Sequence, residues 1–257
     1  MAQPSTLSDS LKNKVAWITG GGSGIGLAGA IELARAGAHV VISGRSAETL
    51  KKAEKELKAA GSGETISMDV GDQKEVARAG AEIQKRHGRV DILVNSAGIN
   101  HPKRNFRNVS IDGWDQIVAI NLSGTFYCCQ AVLPGMRERK DGLIINVASW
   151  FGRYWNTLGG PGYNATKHAV VSLTETLNIE EAANNIRATC ILPGEVATPI
   201  LEKRPVPPPM EERARMLQPG DLGKTILFVA SLPPRACVNE IVIAPTWNRL
   251  VQGGLEK

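Results

Sequence analysis

Residues 19–26 read TGGGSGIG, from Thr19 to Gly26. The apolar run 14–19 before them has strand character, and the Ala/Leu-rich run after them, ending near Ala36, has helix character. A strand must therefore turn into a helix within this stretch. Gly20, Gly24 and Gly26, spaced G-x-x-x-G-x-G, permit a tight turn and let backbone come close to a ligand. The N-terminus of the following helix offers free N–H groups and the positive end of its dipole, which suits a phosphate. With a strand on one side and a helix on the other, the stretch reads as the pyrophosphate turn of a dinucleotide site, with Gly20, Gly22, Ser23, Gly24, Ile25 and Gly26 in contact.

Outward from the turn, Gly37 stops the first helix, and an apolar strand follows at 39–43 (HVVIS). Helical spacing over 47–60 ends at Gly61 and Gly63. A short strand is expected at 65–68, a helix at 73–87 and a strand at 90–94 (VDILV). The alternation continues with a long helix over 112–136, a strand at 143–147, a long helix over 161–184 and a strand at 186–192. A helix over 221–231 and a strand at 238–243 complete it. Strands alternating with helices imply an α/β fold, here a single Rossmann-type doubly wound domain. The parallel sheet has about seven strands and helices on both faces. No change of composition divides the chain, so residues 1–257 read as one domain with a polar arm at 1–11. Residues 202–219 (EKRPVPPPMEERARMLQP) break the pattern. Proline cannot sit inside a helix or central strand, and an irregular insertion of this kind reads as a substrate lid over 200–219.

The 257 residues are 42% hydrophobic with a formal charge of +5. That is enough apolar material for a sizeable core. The basic residues are scattered, which argues for a mildly basic surface and against a nucleic-acid partner. Cys128, Cys129, Cys190 and Cys237 fit no metal spacing and read as small buried groups in a reducing compartment. None of the four histidines has a partner at metal-ligand spacing, so no metal is expected. The first residues lack an apolar signal segment and no run of about 18 apolar residues is visible, so the expectation is a cytoplasmic chain without a membrane partner.

Residues 163–167 read YNATK. Tyr163 and Lys167 lie four apart and share a helix face. A nearby ammonium favours the phenolate and would lower the tyrosine pKa toward neutrality, which suits acid–base work. NSAG at 95–98, INLSG at 120–124, NVAS at 146–149 and PGEVAT at 193–198 stand in order around this pair.

Together these motifs resemble the short-chain dehydrogenase/reductase family, from about residue 11 to residue 246. The resemblance implies a hydride-transferring oxidoreductase acting on the CH–OH group of its substrate. Tyr163 would be the acid/base, and Lys167 would bind the nicotinamide ribose. Ser149 would hold the substrate oxygen, and Asn121 a relay water. It further implies that Asn95, Ala97 and Gly98 line the adenine-ribose side and steady the sheet, although Ser96 stands where a second Asn is common. Asp69 and Val70 would meet the adenine. Pro193, Gly194, Val196 and Thr198 would fix the nicotinamide for pro-S transfer. Where NAD-dependent relatives carry Asp at the end of the second strand, this chain has Gly44 followed by Arg45, so NADP(H) is expected over NAD(H). Ser43 and Ser46 could add hydrogen bonds to the 2′-phosphate.

The loop between Ser149 and Tyr163 is one residue longer than the family pattern. It carries Trp150, Phe151, Tyr154 and Trp155, which would face either an apolar substrate or the lid and a neighbouring subunit. Glu195, beside the nicotinamide loop, reads as solvent-exposed, with a substrate-facing position as the alternative, and 100–108 (NHPKRNFRN) reads as a solvated basic loop with some potential to meet an anionic substrate. The C-terminal Pro-Thr resembles a subgroup that includes 3-hydroxy acid dehydrogenases. The expected substrate is thus a small ketone or alcohol, with a hydroxy acid or hydroxy-carbonyl compound in view. The alternatives are an NAD-dependent alcohol dehydrogenase, a 3-oxoacyl-carrier reductase and, more distantly, a non-catalytic NADP(H) sensor. Family members associate through the two long helices, so a homodimer or homotetramer is expected.

Overall fold

The strands of the computed structural model are β1 (Val15–Thr19), β2 (His39–Gly44), β3 (Ser62–Ser67), β4 (Ile92–Asn95), β5 (Gly142–Val147), β6 (Ile186–Pro193) and β7 (Glu240–Ile243). They form a 7-stranded parallel sheet in the order β3-β2-β1-β4-β5-β6-β7. The structure describes residues 10–252, so residues 1–9 of the expected polar arm lie outside the described residues. The end of that arm belongs to the fold instead: Leu11 is buried and its N–H donates to the Ala36 carbonyl at 2.9 Å.

The two faces follow from strand alternation. Ala16, Ile18, Val40, Ile42 and Val94 point to a layer of α1 (Gly24–Arg35), α2 (Ala47–Ala60) and α8 (Pro219–Ala230). Trp17, Val41, Leu93 and Ile144 point the other way, to α3 (Gln73–His87) and α5 (Gly124–Arg139). Because both faces are covered, the central strands are apolar throughout rather than alternating. The strand order reverses between β1 and β4. Connections there leave the sheet in opposite directions, which opens a crevice at the carboxyl ends of the strands.

Several boundaries differ from the sequence expectation, each for a local reason. β3 starts at Ser62 rather than 65 and passes through Gly63, where a Cβ would lie 2.5 Å from Leu57 Cδ2 and 2.6 Å from the Val40 carbonyl. That glycine lets the strand slide beneath α2 instead of breaking it. The long helix expected over 112–136 is two helices, α4 (Ile111–Val118) and α5, joined by a π-helical turn at Ala119–Ser123. The Gly124 N–H bonds the Ala119 carbonyl there, and a Cβ on Gly124 would lie 2.8 Å from the Val70 carbonyl.

The stretch Ile111–Arg139 corrects a second expectation. It holds an 18-residue window of mean hydropathy 1.4, long and apolar enough by composition to cross a membrane. Half of that window is buried inside this fold, where α5 packs on α3, so it is accounted for as a core helix. The Pro-rich segment is also less irregular than expected. Pro199–Lys203 forms a 3-10 turn and α7 spans Met210–Ala214, with prolines at or before their first residues, where the missing N–H costs nothing. Cys128, Cys129 and Cys190 are buried as expected, whereas Cys237 is exposed beyond the covering helices.

Candidate active site

The glycine turn is built by close approach. Gly20 has φ +65, and a Cβ there would lie 2.8 Å from the Ala97 backbone. At Gly26 a Cβ would lie 2.5 Å from the Gly20 carbonyl. The Thr19 hydroxyl accepts the Ser96 and Ala97 amides at 3.3 Å each, fastening the end of β1 to the segment after β4. α1 begins at Gly24, and its N-cap Ser23 makes no side-chain cap bond, which leaves its first amides to a ligand. A cavity of about 270 Å³ opens above, lined by Gly20, Ser23, Gly24, Ile25, Ala97 and Gly98 on one side and Pro193, Gly194, Val196 and Thr198 on the other. Thr198 closes the ring: a Cβ on Gly24 would lie 3.1 Å from its methyl carbon. Gly22 lies outside the cavity over Thr49, and Gly26 packs on Gly20. Bare backbone amides, a helix N-terminus and no side chain in the way fit a dinucleotide pyrophosphate.

At the far end, Arg45 follows β2, is exposed and stands 3.7 Å from an Asp69 carboxylate oxygen. The other Asp69 oxygen accepts the Gly71 N–H at 2.9 Å, and Val70 is buried beside it. Three expectations are corrected here. Ser43 is buried and engaged with the Trp17 indole N–H at 3.0 Å, so its hydroxyl is not open to a phosphate, whereas exposed Ser46 caps α2 by accepting the Thr49 N–H. Asn95 lies inside the sheet, its amide donating to Asn146 at 2.9 Å, so of its two expected roles it has the sheet-steadying one, tying β4 to β5, and does not line the cavity. His39, Glu64 and His87 offer ligand atoms within 4.8 Å of one another, a grouping that sequence spacing hid. His87 is already bonded to Glu64 at 2.9 Å, and Glu64 also pairs with Arg86.

Tyr163 and Lys167 stand one turn apart on α6 (Gly160–Glu181), with Lys167 Nζ 5.5 Å from the Tyr163 ring centroid. The ammonium donates to the Val147 carbonyl at 2.9 Å, at the end of β5. Ser149 follows that strand; its hydroxyl accepts the Phe151 N–H at 3.2 Å. The Phe151 ring meets Tyr163 edge-on, centroids 6.2 Å apart. Asn121 sits in the π-helical turn, where its Oδ1 accepts the Ile99 N–H at 2.8 Å and its Nδ2 donates to the Ile99 carbonyl at 3.0 Å. Both amide atoms are thus committed to the segment after Gly98. Gly98 bridges the group: a Cβ on it would lie 3.5 Å from Asn121 Oδ1 and 3.6 Å from Lys167 Nζ.

Burial governs the titration of this pair. It pushes the Lys167 ammonium down to about 8. It also raises the Tyr163 phenol above its ordinary value, against the pull of the Ser149 hydrogen bond and of the Arg204 and Arg104 charges. The expected lowering of Tyr163 by Lys167 is therefore overturned by desolvation.

Because the Lys167 value is depressed in the fold, the native state bears the burial cost fully below that value. Stability rises with pH between it and the ordinary lysine value, where the unfolded chain holds the extra proton. Lys167→Met should consequently raise the melting temperature at pH 7 by a few degrees, roughly 1 kcal/mol net of the Val147 carbonyl left without a donor. The gain should fade toward pH 10. A lower melting temperature at pH 7 would show that burial of this charge is compensated.

The rest of the cavity is divided between apolar and charged walls. Trp150 and Phe151 line it. Tyr154 stacks on Trp150 at 4.4 Å, and Trp155 is exposed, so the aromatic loop turns only its first half inward. Glu195 is buried, not exposed: Arg204 donates to it at 2.6 Å and Arg249 at 2.6 and 2.9 Å. The basic loop is likewise only partly solvated, because Asn100 and Arg104 are buried and line the cavity. Arg204 and Arg249 were not singled out from the sequence. Their partner Glu195 is distant along the chain from Arg249, and no local pattern marks the trio.

Comparison with known proteins gives one consistent result. The family model described as short chain dehydrogenase matches residues 14–206. An uncharacterized oxidoreductase of Staphylococcus aureus (strain USA300) is 36% identical over 235 residues, 91% of this chain and 98% of that protein. A 3-oxoacyl-[acyl-carrier-protein] reductase of Thermotoga maritima is 35% identical over 229 residues, 86% of this chain and 92% of its own. Among solved structures, levodione reductase superposes with a TM-score of 0.81 at 30% identity, covering 90% of this chain and 96% of that one. A metagenomic short-chain oxidoreductase in complex with NADP gives a TM-score of 0.80 at 28% identity, covering 92% of this chain and 99% of that one.

Proposed function

Because this chain belongs to the short-chain dehydrogenase family and is an NAD(P)-dependent oxidoreductase, we propose that it interconverts a secondary alcohol and a ketone with NADP(H), using Tyr163 as acid and base. The observation that carries this reading is Tyr163, in one cavity with Ser149, Lys167 and the glycine turn. When bound, the dinucleotide supplies or accepts the hydride.

In reduction, the Tyr163 hydroxyl donates its proton to the carbonyl oxygen, and Ser149 donates a hydrogen bond to the same atom. In oxidation, the tyrosinate takes the proton from the alcohol. The raised phenol keeps its proton at neutral pH, which favours the acid role. Lys167 holds positive charge beneath the ring and binds ribose hydroxyls. Asn121 fixes Ile99, between the cavity-lining Gly98 and Asn100. The loop 200–219 serves as the substrate lid, with Ile200, Leu201 and Arg204 against the cavity. Self-association through α4, α5 and α6, in the cytoplasm, completes the reading. Exposed Ile111, Phe126 and Ile179 support it.

The NADP preference rests on Arg45. Gly44 provides no carboxylate to repel a 2′-phosphate, and among the described residues the exposed guanidinium has only the loose 3.7 Å contact with Asp69 to give up. Fluorescence titration of NADPH and NADH tests it. Wild type should favour NADPH, and Arg45→Asp should weaken NADPH by about 10–100-fold, the worth of a charge-assisted contact. Equal binding of both cofactors by wild type would remove the preference. Binding of neither would remove the catalytic reading.

A further inference from the structure

The cavity wall opposite the glycine turn carries a positive charge that the reaction above does not use. Arg104 is 9% exposed and lines the cavity with Tyr163 and Ser149. Its Nη1 and Nη2 donate to the Leu158 and Lys203 carbonyls at 3.4 and 2.6 Å, and its buried Nε has no partner. Neither contact is to an anion. The carboxylate at this wall, Glu195, is already held by Arg204 and Arg249. Among the described residues Arg104 therefore keeps its charge in a desolvated place without a counter-ion, an arrangement that is costly unless something anionic meets it. Around it, Phe151, Leu158 and Leu201 give the cavity an apolar surface.

We propose that Arg104 binds a carboxylate on the substrate, so that the pair of compounds interconverted at Tyr163 is an oxo acid and its hydroxy acid. The guanidinium lining the cavity is the group offered, and it matches a planar carboxylate better than a lysine would. The apolar wall accommodates the body of the molecule. This deepens the alcohol–ketone reading and rests on it. The competing role for Arg104 is a clasp that only holds Lys203 and Leu158 together.

Turnover and binding separate the two. The turnover probes are 3-oxobutanoate and 4-oxo-4-phenylbutanoate, each beside its methyl ester, with NADPH. The binding probes are 4-phenylbutanoate and its amide, titrated calorimetrically in the presence of NADP⁺. Wild type should prefer the acids. Arg104→Gln should lose about 10–100-fold more in kcat/KM on the acids than on the esters, mostly through KM. It should also lose calorimetric binding of 4-phenylbutanoate. Arg104→Lys should recover part of that binding, and Arg107→Gln, an exposed charge on the same loop, should change nothing. Equal losses on acids and esters in Arg104→Gln would reduce Arg104 to a clasp and overturn the proposal. So would wild-type indifference between 4-phenylbutanoate and its amide. Arg104-dependent binding of 4-phenylbutanoate without turnover of any carbonyl would uphold the carboxylate subsite and defeat the reductase reading instead.

Discussion

Tyr163→Phe should lower kcat by about 10²–10⁴-fold, the usual worth of a positioned proton donor, while leaving NADPH affinity within a few-fold of wild type. The substitution removes one oxygen from a half-buried ring that Phe151 holds edge-on, so the ring stays in place and the cavity keeps its shape. What disappears is the only proton source placed beside Ser149 in the proposed mechanism. Lys167 cannot substitute, because its ammonium is turned to the Val147 carbonyl. Single-turnover reduction with saturating NADPH isolates the chemical step. A rate within tenfold of wild type would rule out Tyr163 as the acid.

Glu195→Ala should be the most destabilising single change in the cavity, by about 3–5 kcal/mol. It leaves the mostly buried Arg204 without its partner and releases Arg249. For a chain of this size that is a fall in melting temperature of roughly 10 °C. Burial alone would raise the Glu195 carboxyl, but the bonds from Arg249 and Arg204 outweigh it and hold the group below its ordinary value. Its contribution is therefore complete above the ordinary glutamate range and is lost as pH falls through the depressed native value. The difference in melting temperature between wild type and Glu195→Ala should accordingly shrink in acid. Glu195→Gln, which keeps the shape and some hydrogen bonds, should fall between them. A melting temperature within about 2 °C of wild type for Glu195→Ala would mean that solvent already satisfies the two arginines.

Much of this molecule is legible in the chain because the relevant forces are local. The turn at 19–26 needs glycine for backbone approach, and a helix puts Tyr163 above Lys167 at a spacing of four. Buried parallel strands leave continuous apolar runs. What escaped was decided between distant segments. Arg104 and Glu195 read as surface residues because charge in a loop is ordinarily solvated; only folding shows that one is buried without a counter-ion and the other between two. Ser43 and Asn95 have side chains suited to a ligand, yet Trp17 and Asn146 claim them inside the sheet. The direction of the Tyr163 shift was misread because spacing reveals a neighbouring charge and says nothing about how deeply the pair is buried.

The π-helical turn at Ala119–Ser123 has a consequence for how the rod from Ile111 to Arg139 can vary. Its upstream and downstream halves are out of phase, so each answers to its own surroundings: α4 to α6, α5 to α3. Losing one residue from the turn would bring the two halves into phase and swing one of them by about a quarter-revolution. Asn121 would leave the Ile99 segment, or the apolar side of α5 would leave its neighbours. Length across this stretch is consequently less tolerant of change than composition, and conservative exchanges should be easier to accommodate there than a single insertion or deletion.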